Sequence, residues 1–279
     1  MEKIKVITDS TVDIPKHILE EKNIEVLPLL INFGEESYLD GIDIDTKKMF
    51  QKIEALDMLP TTAQVTPNRF YECFKKNLEE GYKLIVLTLS SEMSGTYQSA
   101  CIAKGMLETE NIIVIDSKNV TSGLGVLALK TVSLINSGIS FEKIEAEILK
   151  IIPRVKSSLG FESLDYLIKG GRLSRAAGMI GSVLGIRLIL EVKDGKMSVK
   201  EKVRGNKKAV KKIIQDFEEF GLGSKEPVIL LHIENEDIYN PLKAYLEENH
   251  VKYIDSEVGC TVGVHSGPKA CGLFFIENN

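Results

Sequence analysis

No apolar run in the 279-residue sequence approaches the roughly 20 residues that a bilayer-spanning helix requires. No run of lysine or arginine stands out either, and the net charge is −5, so nucleic acid is not an expected partner. The four cysteines (Cys73, Cys101, Cys260 and Cys271) form no C-x-x-C pair. No set of His, Cys, Asp and Glu has metal-ligand spacing. Free buried thiols are then the ordinary reading, and a reducing, cytoplasmic setting is expected. The amino terminus, MEKIKVITDS, is charged and enters a strand at once, so no signal peptide is expected. Three common loops are missing as well. Without G-x-x-x-x-G-K-[ST] or G-x-G-x-x-G, nucleotide binding of the usual kinds has no support. Without G-x-S-x-G there is no nucleophile elbow. Low-complexity segments and internal repeats are also absent.

What is present is the composition of a packed protein, 43% hydrophobic and 27% charged. Short apolar runs alternate with amphipathic ones. Strands are read at Ile4–Thr8, Val26–Phe33, Leu84–Leu89 and Asn111–Ile115, with a short return strand at Tyr38 and Leu39. Helices are read at Thr46–Leu56, from Pro67 through Glu80, Tyr97–Met106, Thr121–Asn136 and from Ser140 to about Val155. Asp13 or Thr11 followed by Pro15 reads as a further helix start. The pattern changes at Pro153–Gly160, which sets two domains at 1–156 and 157–279. Beyond it, Asp194-Gly195 between alternating runs marks a hairpin from Ile186 to Val203. A helix at Lys207–Phe220, a strand at Pro227–Ile233, a helix at Asp237–Asn249 and strands at Val251–Asp255 and Gly272–Glu277 follow. The fold class expected is α/β in both halves. The first has a mainly parallel sheet flanked by helices and the second a mixed sheet with helices.

The chemistry concentrates in Leu84–Lys104. An apolar strand there ends in Ser90, Ser91, Ser94, Gly95 and Thr96, and a helix follows. α/β proteins place ligands at such turns, where unpaired N–H groups and small hydroxyls accept an anion. The plainer reading of Ser94 is a helix cap, and Thr61, Thr62 and Gln64 have the same alternative as a polar loop before a helix capped by Thr66. His265 lies in what reads as a glycine-rich turn, Gly259 to Pro268, an unusual place for a core histidine. Gly170-Gly171-Arg172-Leu173-Ser174-Arg175 and Arg204-Gly205 place arginines in connections, either as exposed loops or as recognition points for a partner or phosphate. The small residues from Ala176 to Gly185 could leave room for a ligand or serve close helix packing.

Taken in series, these segments resemble the DegV family, bacterial fatty-acid-binding proteins that work with fatty acid kinase. The residues are Thr8-Asp9-Ser10-Thr11-Val12-Asp13-Ile14-Pro15, Thr62-Ala63-Gln64 with Pro67, Ser91-Glu92-Met93-Ser94-Gly95-Thr96-Tyr97-Gln98-Ser99-Ala100, Asp116-Ser117 with Gly123, Gly170-Gly171-Arg172-Leu173-Ser174, and Val264-His265-Ser266-Gly267-Pro268. They follow the family order over nearly the whole chain. The resemblance implies a long-chain fatty acid buried at the junction of two α/β domains, its carboxylate held by Thr62 and Ser94 with His265 close by. It also implies that Arg172 and Arg204 engage an ATP-binding kinase that phosphorylates the presented carboxylate to an acyl phosphate. On this reading the chain is not itself an enzyme and needs no cofactor or metal. Its place would be phospholipid metabolism, with at most transient membrane contact.

Two positions depart from the family pattern. Ala63 stands where serine is common, and Lys269 where His-x-Gly-Pro-Gly would place glycine. A lysine there adds a cation and loses backbone freedom if the position needs positive φ. An acyl chain gains about 0.8 kcal/mol per buried CH₂, so roughly fifteen methylenes bring on the order of 10 kcal/mol before costs. A few hydrogen bonds then suffice to orient the head group. Two alternatives use the same residues: a lipid-sensing module with no kinase partner, and an acyl-ester hydrolase using Ser94 and His265. The hydrolase lacks an identifiable carboxylate to orient His265.

Overall fold

Which apolar runs can bury both faces decides the architecture. In the structure, a computed structural model describing residues 2–174, 185–221 and 227–278, four such runs form a fully parallel sheet. They are β1 (Ile4–Asp9), β2 (Ile24–Leu27), β6 (Lys83–Thr88) and β7 (Ile112–Asp116), in the order β2-β1-β6-β7. Helices α3 (Pro67–Glu79) and α4 (Thr96–Leu107) cover one face, burying Phe70, Phe74, Ala100 and Ala103. Helices α5 (Ser122–Asn136) and α6 (Phe141–Ile151) cover the other.

A six-stranded mixed sheet forms the second half. Its strands are β8 (Val155–Phe161), β9 (Ile186–Lys193), β10 (Lys196–Arg204), β11 (Val228–Ile233), β12 (Tyr253–Glu257) and β13 (Ala270–Ile276). The order is β10-β9-β8-β13-β11-β12, antiparallel except for the β11-β12 pair. Helices α8 (Asn206–Phe220) and α9 (Glu236–Glu248) close its outer face through Ile213, Phe217, Ile238 and Leu242. Its inner face packs on α5. One continuous core joins Leu124 and Leu127 of that helix to Ile85 and Leu87 on one side and to Leu159, Leu190 and Phe274 on the other. A helix apolar all round is a core helix, and α5 buries nine residues.

A third, small antiparallel sheet runs β4-β3-β5, from β3 (Leu30–Phe33), β4 (Glu36–Leu39) and β5 (Thr61–Ala63). It packs through Ile31 and Phe33 against α2 (Thr46–Leu56) and α10 (Cys260–Ser266). The sequence does not announce this sheet, because the run Val26–Phe33 reads as one strand. Pro28, which has no N–H to donate, divides it between two sheets. The helix expected to reach Val155 stops at Ile151. A 3₁₀ turn carries Pro153, and Val155 opens β8, so the stretch 153–160 is largely an inner strand of the mixed sheet. Asp13 starts no helix: it is buried with φ 39°, and α1 (Lys16–Glu21) begins after Pro15. Within the segment Gly259–Pro268, Cys260–Ser266 is helical where a turn was expected. Ala176 to Gly185 lies outside the described residues except for Gly185, as does Arg175. Among the described residues, no helix is long and apolar enough to cross a membrane.

Gly272 shows how closely the mixed sheet is packed. A Cβ there would sit 2.1 Å from the carbonyl oxygen of Ser158 and 2.7 Å from Cα of Leu159. Neither atom can rotate away. Gly272→Ala is therefore expected to force β13 from β8 and cost about 1–3 kcal/mol or more, read as a lowered urea midpoint.

Candidate functional site

Where the parallel sheet, the mixed sheet and α10 meet, side chains do not fill the space. A cavity of about 170 Å³ remains, traced by the centre of a water-sized sphere. A single water needs roughly 10–15 Å³ by that measure, so this is no packing void. Both halves wall it: Leu29, Leu89, Met93 and Val120 from the first, Leu159, Phe161, Met197 and Leu231 from the second. A group of polar side chains (Thr62, Gln64, Ser94, Arg172 and His265) also faces it.

Each polar residue is delivered by a different element. Thr62 sits mid-strand in β5, opposite Ile31. Its Oγ1 lies 2.9 Å from Nε2 of His265, in the last turn of α10 and 203 positions away. Ser94 comes from the loop after β6. Its Oγ accepts from the Thr96 N–H at 3.3 Å and lies 3.0 Å from Thr96 Oγ1, so it takes a capping role although Gly95 is the residue bounding α4. Thr66 caps α3 as expected, accepting from the Arg69 N–H. Gln64 donates to Ser99 Oγ at 2.9 Å and presses on Gly95, where a Cβ would lie 2.1 Å from Gln64 Oε1. Gln64 thus ties the Thr62 strand to the Ser94 turn.

Arg172 follows α7 (Asp165–Lys169) and is half-buried. Its Nε and Nη2 donate to the Met93 carbonyl at 3.2 and 3.1 Å, and Nη1 donates to Gly170 O. Two of its N–H groups therefore hold the Ser94 loop, and a third ties Arg172 to its own segment at Gly170. Burial, and secondarily the Arg172 charge, press the pKa of His265 down to about 4. His265 is neutral at neutral pH, and Arg172 is the cation of this group. Among the described residues, Nδ1 of His265 has no hydrogen-bond partner.

The placement of His265 depends on carboxylates from the other half. Asp40 accepts from the N–H groups of Cys260 and Thr261 at 3.1 and 3.2 Å, satisfying the start of α10. Asp13 accepts from Gly259 N–H at 3.0 Å and from the Thr121 hydroxyl, and its carbonyl accepts from Ser256 Oγ. Asp9 accepts from Leu89 N–H at 2.7 Å and from Thr11. Burial pushes the carboxyl of Asp9 up to about 6 and that of Asp13 well above its usual range.

A family model described as an uncharacterised protein of the DegV family matches residues 3–278. The chain belongs to the DegV family. A DegV domain-containing protein of Clostridium perfringens is 54% identical over 277 residues, 99% of both chains. The structure of a DegV family protein from Thermus thermophilus, described by its fatty acid binding, superimposes with a TM-score of 0.91 at 27% identity, covering 99% of this chain and 100% of that one. DegV from Bacillus subtilis, described as a fatty acid binding protein, gives 0.87 at 31% identity with both chains fully covered.

Within this DegV protein the structure gathers Thr62, Ser94, His265 and Arg172 around one cavity. Arg204 is apart from them. It ends β10, exposed, at the opposite end of that strand from the hairpin turn. Ala63 and Lys269 do not line the cavity. Lys269 has φ 63°, the left-handed conformation that glycine would adopt without strain, and its ammonium lies 3.4 Å from Glu162. Sequence reasoning passed over Gln64 as a positioning group and Asp40 as an anchor. Asp40 stands in an acidic stretch, and nothing in its spacing points to an N–H group 220 residues on.

The His265 environment fixes a pH response. Its folded pKa lies below the unfolded value near 6.5, so its contribution to stability is complete above that pH and is lost as pH falls toward 4. Asp9 acts oppositely: its raised pKa makes stability fall as pH rises from about 4 to 6. Comparing wild type with His265→Gln isolates the first effect. The stability difference between the two is expected to move by up to about 3 kcal/mol in favour of the variant between pH 7 and pH 4, measured by urea unfolding at each pH.

Proposed function

We propose that this DegV protein binds one long-chain fatty acid, its acyl chain in the cavity between the halves and its carboxylate among Thr62, Ser94 and His265. The single observation that carries the reading is a largely apolar cavity on which Thr62, Ser94, His265 and Arg172 converge. Burying about fifteen methylenes contributes on the order of 10 kcal/mol before costs. The carboxylate is the expensive part, since a buried anion needs hydrogen bonds and an opposing charge. Two hydroxyls and a neutral imidazole supply the first, and the guanidinium of Arg172 supplies the second. The similar proteins from T. thermophilus and B. subtilis, described as fatty acid binding, support the same ligand class.

The carboxylate is then presented to a separate ATP-binding fatty acid kinase, which transfers phosphate to it. The exposed guanidinium of Arg204 suits a docking contact. Arg172 carries a second duty beyond the docking role that the family resemblance implies: it neutralises the head group. A hydrolase would need a carboxylate on Nδ1 of His265 to orient the ring, and none of the described residues makes that bond.

Protein purified from a bacterial host is expected to release one long-chain fatty acid per chain on denaturing extraction and mass spectrometry, and to bind added oleate or palmitate once emptied. An empty extract together with no binding of either lipid would sink the reading. Thr62→Val, Ser94→Ala and Arg172→Ala are each expected to weaken binding roughly ten- to hundredfold, the loss of a hydrogen bond to a charged group. Arg204→Ala should leave lipid bound and abolish acyl phosphate formation when a fatty acid kinase and ATP are supplied.

A further inference from the structure

The β9–β10 hairpin does more than extend the mixed sheet. Its turn, Asp194-Gly195, has φ of 50° and 81° and reaches across to the other half of the molecule. Gly195 lies so close to the loop after β6 that a Cβ there would sit 2.5 Å from Ser90 Oγ and 3.1 Å from both Glu92 and Lys118. Lys196 pairs with Glu92 at 3.1 Å, both side chains are exposed, and Glu92 also lies 3.7 Å from Lys118. Beneath this contact runs an outer groove bounded by Glu92 and the residues of β10 from Lys196 to Lys202. Met93, Arg172 and Met197 line both that groove and the inner cavity. Among the described residues, three side chains therefore stand between cavity and groove here. Two are methionines, unbranched and adaptable. The third, Arg172, is anchored to the backbone of Met93.

We propose that this partition is the portal through which the acyl chain passes, and that the hairpin tip latches it. Lifting the tip from Ser90 and Glu92 frees Met197 to swing from Met93 and joins groove to cavity. The latch is a close contact at one glycine and an exposed ion pair, so it opens without unfolding either sheet. Such pairs are weak individually and sensitive to charge reversal. A portal alters the rates of uptake and release together and leaves the bound state unchanged. The inference rests on fatty acid binding in the cavity.

The test is stopped-flow exchange of the fluorescent fatty acid cis-parinaric acid. Lys196→Glu is expected to raise association and dissociation rates alike, roughly two- to fivefold for loss of one exposed pair, with Kd held within about a factor of two. Lys196→Arg keeps a cation against Glu92 and should hold both rates at the wild-type values. Unaltered rates in Lys196→Glu, a change in only one rate, or rates in Lys196→Arg that match those of Lys196→Glu would overturn the portal while binding itself persists. No binding of the probe by the wild-type chain would instead overturn the fatty acid reading and the portal with it.

Discussion

Helix α5 is buried between two sheets, and the rest of the molecule depends on that. Its Leu124 and Leu127 pack against the parallel sheet and the mixed sheet at once, within one continuous core. Two layers normally need two helical faces, and here a single helix serves both. Neither sheet can complete its inner surface without the other. The cavity lies beside this shared helix, where strand ends from both halves converge and leave space. A ligand held there is enclosed by the same packing that joins the halves.

The electrostatic organisation follows from that enclosure. Within a buried site every charge needs an answer, and most of this one is neutral. Burial keeps His265 uncharged, and the hydroxyls of Thr62 and Ser94 are neutral dipoles. The positive charge is concentrated in Arg172, already fastened to the loop that carries Ser94. The buried carboxylates face elsewhere, into the N–H groups that open α10 and the loop before it. Anchoring that short helix from the opposite half sets His265 against Thr62. The site is thus preorganised by bonds that cross the molecule rather than by local chain preference.

Much of the fold was legible because strand and helix periods are local properties. Thr46–Leu56 and the start of α3 at Pro67 read directly, since an aspartate or threonine cap and an amphipathic stripe are written within a dozen residues. The Asp194-Gly195 hairpin read as well, because its turn demands positive φ at both positions. The misreadings have a common cause. Val26–Phe33 looks continuous, and only pairing with two different partners reveals the break at Pro28. Val155–Phe161 sits between a 3₁₀ turn and a short helix, and it becomes a strand because β13 and β9 flank it. Cys260–Ser266 looks like a glycine-rich turn until Asp40 supplies the partners its first N–H groups need.

By itself, then, the sequence determined the α/β class, the order of most elements and, through motifs kept in series, the DegV family. Each of those is set by neighbours within a turn or a strand, so the chain carries it wherever it goes. Tertiary structure decided the rest. It brought Thr62 within 2.9 Å of a histidine 203 positions away and set Arg172 on the cavity wall, with Arg204 at the far end of β10. It gave Asp40 a helix to anchor and the hairpin a loop to rest on. These are contacts between distant segments, created when two sheets close on one helix, and no spacing along the chain encodes them.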